Sequence, residues 1–107
     1  MPLIRLEFDD NKVSDKDAES LSKAVRDIVS ETTKIEDVFV YANSARVKVQ
    51  IAPIEIFIQM TAKKIADRKE LIGEIKRKIV DWKLKNNFQT TINLTLIPME
   101  WNIEIGI

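Results

Sequence analysis

The sequence predicts a two-layer α+β fold: a duplicated βαβ unit forming a four-stranded sheet with two helices on one face, plus short extra strands. Each half of the chain carries a stretch of apolar residues at two-residue spacing, then a stretch at three- and four-residue spacing, then a further alternating stretch. Shifting the chain by 50 residues also superimposes Ile4, Leu6 and Phe8 on Ile54, Ile56 and Ile58, Asp17 on Asp67, and Leu21, Val25 and Val29 on Leu71, Ile75 and Ile79. An even offset keeps the apolar face of each strand in phase, as a true repeat requires.

The elements follow in order. Residues 3–8 set Ile4, Leu6 and Phe8 against Leu3, Arg5 and Glu7, the pattern of a half-buried strand, and DDNK ends it. From Ser14 to about Glu31, Ala18, Leu21, Ala24, Val25, Ile28 and Val29 recur on one helical face, and Ser14 with Asp17 resembles a capping box. VFVYA is β-branched and aromatic enough for a second strand. Arg46–Ile51 alternates strictly, with Val47, Val49 and Ile51 against Arg46, Lys48 and Gln50, and reads as a two-sided extra strand. IEIFIQM, after Pro53, is the next strand. Asp67 and Glu70 form a second capping box, opening a helix whose stripe is Leu71, Ile72, Ile75, Ile79 and Trp82 and which ends near Lys85. Gly73 inside it is expected to mark a close contact, because glycine weakens a helix interior. TTINLTLIP is the last principal strand, and the tail WNIEIGI alternates again.

Parallel strands joined by a helix require a right-handed crossover, so both helices fall on one face of the sheet. On the other face, Leu3, Phe39, Tyr41 and Phe57 project among Arg5, Glu7, Glu55, Asn93 and Thr95, a mixed but aromatic surface suited to assembly. The two short extra strands, Arg46–Ile51 and the C-terminal tail, are expected to extend neighbouring sheets by edge pairing.

With 107 residues, 45% of them hydrophobic, the chain fits a single domain, 1–107, with repeats about 2–51 and 52–107. Seventeen Lys and Arg balance seventeen Asp and Glu, so the whole-chain charge points to no nucleic-acid partner. The basic run IKRKIVDWKLK lies where cations complement a helix C-terminus. Asp9, Asp10, Asp15 and Asp17 lack calcium-loop spacing and glycine, so no metal is expected, and no cofactor. MPLIRLEFDD is too quickly acidic for a signal peptide, and no run of about 18 apolar residues occurs, so a cytoplasmic protein without membrane contact is expected. The absence of Cys and His removes thiol nucleophiles, imidazole bases and their metal sites. Carboxylates, Lys, Tyr41 and the chain's own amino terminus remain for acid–base work.

Pro2 directly after the initiator Met at the start of a strand (MPLIRLEF), the duplicated βαβ plan and the ending IPMEWNIEIGI together resemble the tautomerase superfamily, which includes 4-oxalocrotonate tautomerase and macrophage migration inhibitory factor. The resemblance implies a homotrimer whose mature chains begin at Pro2, with the secondary amine acting as general base or acid on a small carbonyl compound or 2-oxo acid. An α-amine titrates at about 7.7–8.0 unperturbed, closer to neutrality than Lys, and nearby cations such as Arg5 and Lys12 are expected to lower it.

For substrate binding, the resemblance implies Lys12 where the oxalocrotonate enzymes hold a carboxylate with arginine; lysine keeps the charge and loses the bidentate fork. The second arginine of that pattern meets Phe39 here. Lys34 matches the lysine of the migration-factor branch, Asn93 its pocket asparagine, and Trp101 falls near the family's pocket aromatic. Arg46, a cation in the turn after the second strand, is a further candidate from the residues themselves. The competing function is a non-catalytic homotrimer of the same fold, consistent with Phe39 and with glycines missing from the C-terminal ending.

Overall fold

A computed structural model describes residues 1–107. The order of elements is β1 (Leu3–Phe8), α1 (Asp15–Thr33), β2 (Phe39–Ser44), β3 (Ile54–Thr61), a 3₁₀ turn (Ala62–Lys64), α2 (Arg68–Lys85) and β4 (Asn93–Met99). The sheet runs β2-β1-β3-β4. β1 is parallel to β2 and β3 to β4, while β1 and β3 meet antiparallel at the centre, with Leu6 opposite Ile56. The duplicated plan is therefore present: two parallel βαβ units joined back to back.

Burial alternates along β1 and β3 as the sequence predicts. Ile4, Leu6 and Phe8 and then Ile54, Ile56, Ile58 and Met60 point to the helices and are buried, whereas the intervening residues are partly exposed. Leu21, Val25 and Val29 of α1 and Ile75 and Ile79 of α2 close the core from the other side. Removing these side chains from water is the main force holding the two layers together. Lys78 reinforces the helix pair: its Nζ lies 3.3 Å from Glu31 Oε1 and 3.6 Å from Glu74 Oε1, and donates to Thr32 Oγ1 at 2.9 Å.

Both helices begin at their expected caps. The Ser14 side chain accepts from the Asp17 N–H and the Asp67 side chain from the Glu70 N–H, each at 3.1 Å. The superposition of Asp17 on Asp67 does not extend to capping, since Asp17 lies inside α1 while Asp67 is the cap of α2. α1 ends at Lys34, which takes the left-handed conformation at φ 62°.

Three expectations are corrected. Arg46–Ile51 and the tail after Met99 form no strand within the chain. Alternation alone makes a segment strand-like, but a strand needs an adjacent edge to share its hydrogen bonds. Instead, Lys48 turns inward to pair with Asp10 at 2.9 Å, leaving Val47 and Val49 84% and 99% exposed. Gly73 marks no close contact either, since a Cβ built there meets nothing within 4 Å. It costs the helix about 1 kcal/mol relative to Ala with no compensation inside the chain.

Candidate functional site

The antiparallel meeting of β1 and β3 decides which residues share an end of the sheet. The starts of β1 and β2 lie beside the ends of β3 and β4, because Leu3 stands opposite both Phe39 and Gln59, and Thr61 opposite Met99. Pro2 belongs to this end. Its carbonyl accepts from the Phe39 N–H at 3.2 Å, continuing the β1–β2 ladder, and its ring is fully buried. A proline suits this position because its missing N–H is not asked to donate.

Two other candidates share the Pro2 end. Lys34 caps α1 just before β2 and is exposed. Trp101 follows β4, and its indole Nε1 donates to Thr61 Oγ1 at 3.0 Å, which holds the ring over the end of β3. Trp101, Thr61, Met99 and Lys63 line a cavity of about 340 Å³ there. Lys63 and Lys64, in the 3₁₀ turn after β3, are cations the sequence reading missed. The sequence signal was the TAKK run, but only the reversed direction of β3 against β1 brings it to the Pro2 end.

Lys12, Arg46 and Asn93 lie at the opposite end of the same chain. Lys12 follows the end of β1, Arg46 follows the end of β2, and Asn93 opens β4. The six residues of β1, at about 3.3 Å each, separate the two groups by roughly 20 Å. Asn93 Nδ2 donates to Glu55 Oε1 at 3.0 Å, while Lys12 and Arg46 are exposed. The cations expected to tune the Pro2 amine are therefore not its neighbours. Arg5 points to the open face, with its guanidinium 4.9 Å from the Phe57 ring centre and 3.8 Å from Glu7.

That open face is built as the alternation requires. Its cross-strand rows are Phe39, Leu3, Gln59 and Ile97; Tyr41, Arg5, Phe57 and Thr95; and Asn43, Glu7, Glu55 and Asn93. Away from the sheet, the hydrogen bond from Lys48, together with its charge, holds the Asp10 carboxyl below the usual carboxylate range. No group of three or more metal-ligating side chains occurs, and no helix is long and apolar enough to cross a membrane.

No family model and no curated protein matches the sequence. Solved structures do match the fold. The FG41 malonate semialdehyde decarboxylase inhibited by 3-bromopropiolate is 18% identical, with a TM-score of 0.65 over 98% of this chain and 91% of that one. A 5-carboxymethyl-2-hydroxymuconate delta-isomerase is 14% identical, with a TM-score of 0.65 over 99% of this chain and 89% of that one. A fused 4-OT, described as a wild-type asymmetric trimer, is 11% identical, with a TM-score of 0.62 over 94% of this chain and 91% of that one. Proteins of unknown function share the fold as well, one of them from Vibrio cholerae. Identities this low speak to architecture alone, and the architecture of this chain is that of the tautomerase superfamily.

Proposed function

We propose that this chain is a tautomerase that moves a proton between carbon and oxygen of a small carbonyl compound or 2-oxo acid, with Pro2 as the base once Met1 is removed. The observation that carries the proposal is Pro2 itself, at the head of β1 on a tautomerase fold, at the sheet end that also holds Trp101 and Lys34. While Met1 is attached, the Pro2 nitrogen is an amide and has no useful basicity. Freed, it is a secondary amine, a class of base whose ordinary range lies closer to neutrality than that of Lys, suited to taking a proton from the carbon beside a carbonyl and returning it to the enol. A cation at the same end, Lys34 or Lys63, stabilises the oxygen on which negative charge develops. The chain assembles as a homotrimer, and Lys12, Arg46 and Asn93 reach a Pro2 only from another copy.

A non-catalytic homotrimer is the second candidate function. It is favoured by the full burial of the Pro2 ring and by Phe39 standing where the oxalocrotonate pattern has arginine.

Mass spectrometry of the protein from its native host decides the first requirement, and a retained Met1 excludes the amine mechanism. With Met1 removed, enolisation of phenylpyruvate or 2-hydroxymuconate is expected to fall at least about 100-fold in Pro2→Ala, the usual scale of general acid–base catalysis. An unchanged rate assigns the activity elsewhere, and no rate above background in the processed protein favours the non-catalytic homotrimer.

A further inference from the structure

The peptide bond between Met1 and Pro2 joins a half-exposed residue to a fully buried one. Burial alternates without interruption from Met1 to Phe8, so Pro2 continues the inward row of Ile4, Leu6 and Phe8, while Met1 continues the outward row of Leu3, Arg5 and Glu7. Extending the register one step beyond Leu3 sets Pro2 between Val38 of the β2 side and Met60 of β3, which are 7% and 1% exposed. On the β2 side the Phe39 N–H holds the Pro2 carbonyl at 3.2 Å. Pro2 is therefore the first residue of the sheet and no loose leader to it.

We infer that the Met1–Pro2 bond is open to an aminopeptidase only before β1 has paired with its neighbours, so that processing precedes folding and a chain that folds with Met1 keeps it. The step is hydrolysis: the bond from the Met1 carbonyl carbon to the Pro2 nitrogen breaks, and water supplies hydroxide to the carbonyl and a proton to the nitrogen. An exopeptidase must hold the Met1 amine, the methionine side chain and the small residue after it in its own cleft. In the folded chain that small residue is in the core. Presenting it means drawing the Pro2 ring out from between Val38 and Met60 and breaking the bond to Phe39, so cleavage follows the opened fraction of the protein. The lost burial and hydrogen bond together lower that fraction by at least about tenfold. Chains folded before and after processing then form two populations that do not interconvert, one with an amide at Pro2 and one with an amine. The inference bears on the base of the proton-transfer proposal, but it is read by mass and not by activity, so the two fail separately.

The experiment incubates folded full-length protein that still carries Met1 with an aminopeptidase that removes methionine ahead of small residues, and follows loss of Met1 by mass spectrometry. A synthetic peptide of residues 1–13, too short to fold, is expected to be processed at least about tenfold faster than the folded protein. A second protein, with a methionine, an alanine and a flexible glycine–serine spacer placed ahead of Met1, is expected to lose its new methionine at close to the peptide's rate. Phe39→Pro removes the N–H that holds the Pro2 carbonyl, at the first residue of an edge strand where proline is tolerated, and should speed loss of Met1 from the folded protein. Phe39→Ala keeps that N–H and should not. The inference is overturned if the folded protein is processed less than about tenfold more slowly than the peptide, or if the extended protein is as resistant as the native chain, because the obstacle is then bulk. It is also overturned if Phe39→Pro, with a cooperative thermal transition retained, is processed no faster, or if resistance disappears on dilution to monomers, because the shield is then a neighbouring copy.

Discussion

Single residues here are legible in identity more than in company. The lack of His and Cys left the amino-terminal proline as the main candidate base, and a strand over residues 3–8 already set Lys12 at its far end, but nothing in the primary order said that Asn93 would stand there too. Asp10 shows the reverse case, an unremarkable acid given a task by folding. Its hydrogen bond from Lys48 ties down the segment that would otherwise alternate freely as Arg46–Ile51. Because pairing lowers the carboxyl's pKa in the folded state, the tie is present above the ordinary Asp value of about 3.9 and is lost as pH falls through the lowered one. Asp10→Asn is expected to speed tryptic cleavage after Arg46 at neutral pH while leaving hydrogen exchange of the β1 amides unchanged. Equal cleavage of both proteins means that the segment is held by something else.

At the scale of the element, strands and helices were readable where burial follows the local period. Ile4, Leu6 and Phe8, and again Ile54, Ile56 and Ile58, alternate because one face meets the helices and the other does not. The caps were readable for a local reason too, since a Ser or Asp side chain needs only the N–H three residues on. Ser14→Ala and Asp67→Ala should each lower stability by about 1 kcal/mol in thermal unfolding, and the two losses should add because they sit on different helices. Arg46–Ile51 and the C-terminal tail defeated the same reasoning. Their alternation is as regular as that of β1, but whether an alternating segment becomes a strand depends on an edge supplied from elsewhere in space.

For the whole molecule, the open face of the sheet carries the main question. Tyr41, Arg5, Phe57 and Thr95 cross it in one row, with Arg5 stacked on Phe57. The proposed trimer predicts that this face is covered, so Phe57→Glu should convert the assembly to monomers in sedimentation at micromolar concentration. On a solvated face the same change would alter stability by no more than about 0.5 kcal/mol and leave the sedimentation unchanged.

By itself the sequence determined the periods: which residues alternate, which recur on a helical face, where the caps fall, and that the second half repeats the first. Those are local properties, set by the geometry of a strand and a helix. Only the tertiary structure decided the direction in which the two halves meet. Setting β1 antiparallel to β3 brings the turn with Lys63 and Lys64, and Trp101 with it, to the Pro2 end, and carries Asn93 to the other end, where the course of β1 and of its parallel neighbour β2 already sets Lys12 and Arg46. Strand direction is a matter of which edges pair across the core, and either choice satisfies the same alternation of apolar and polar residues.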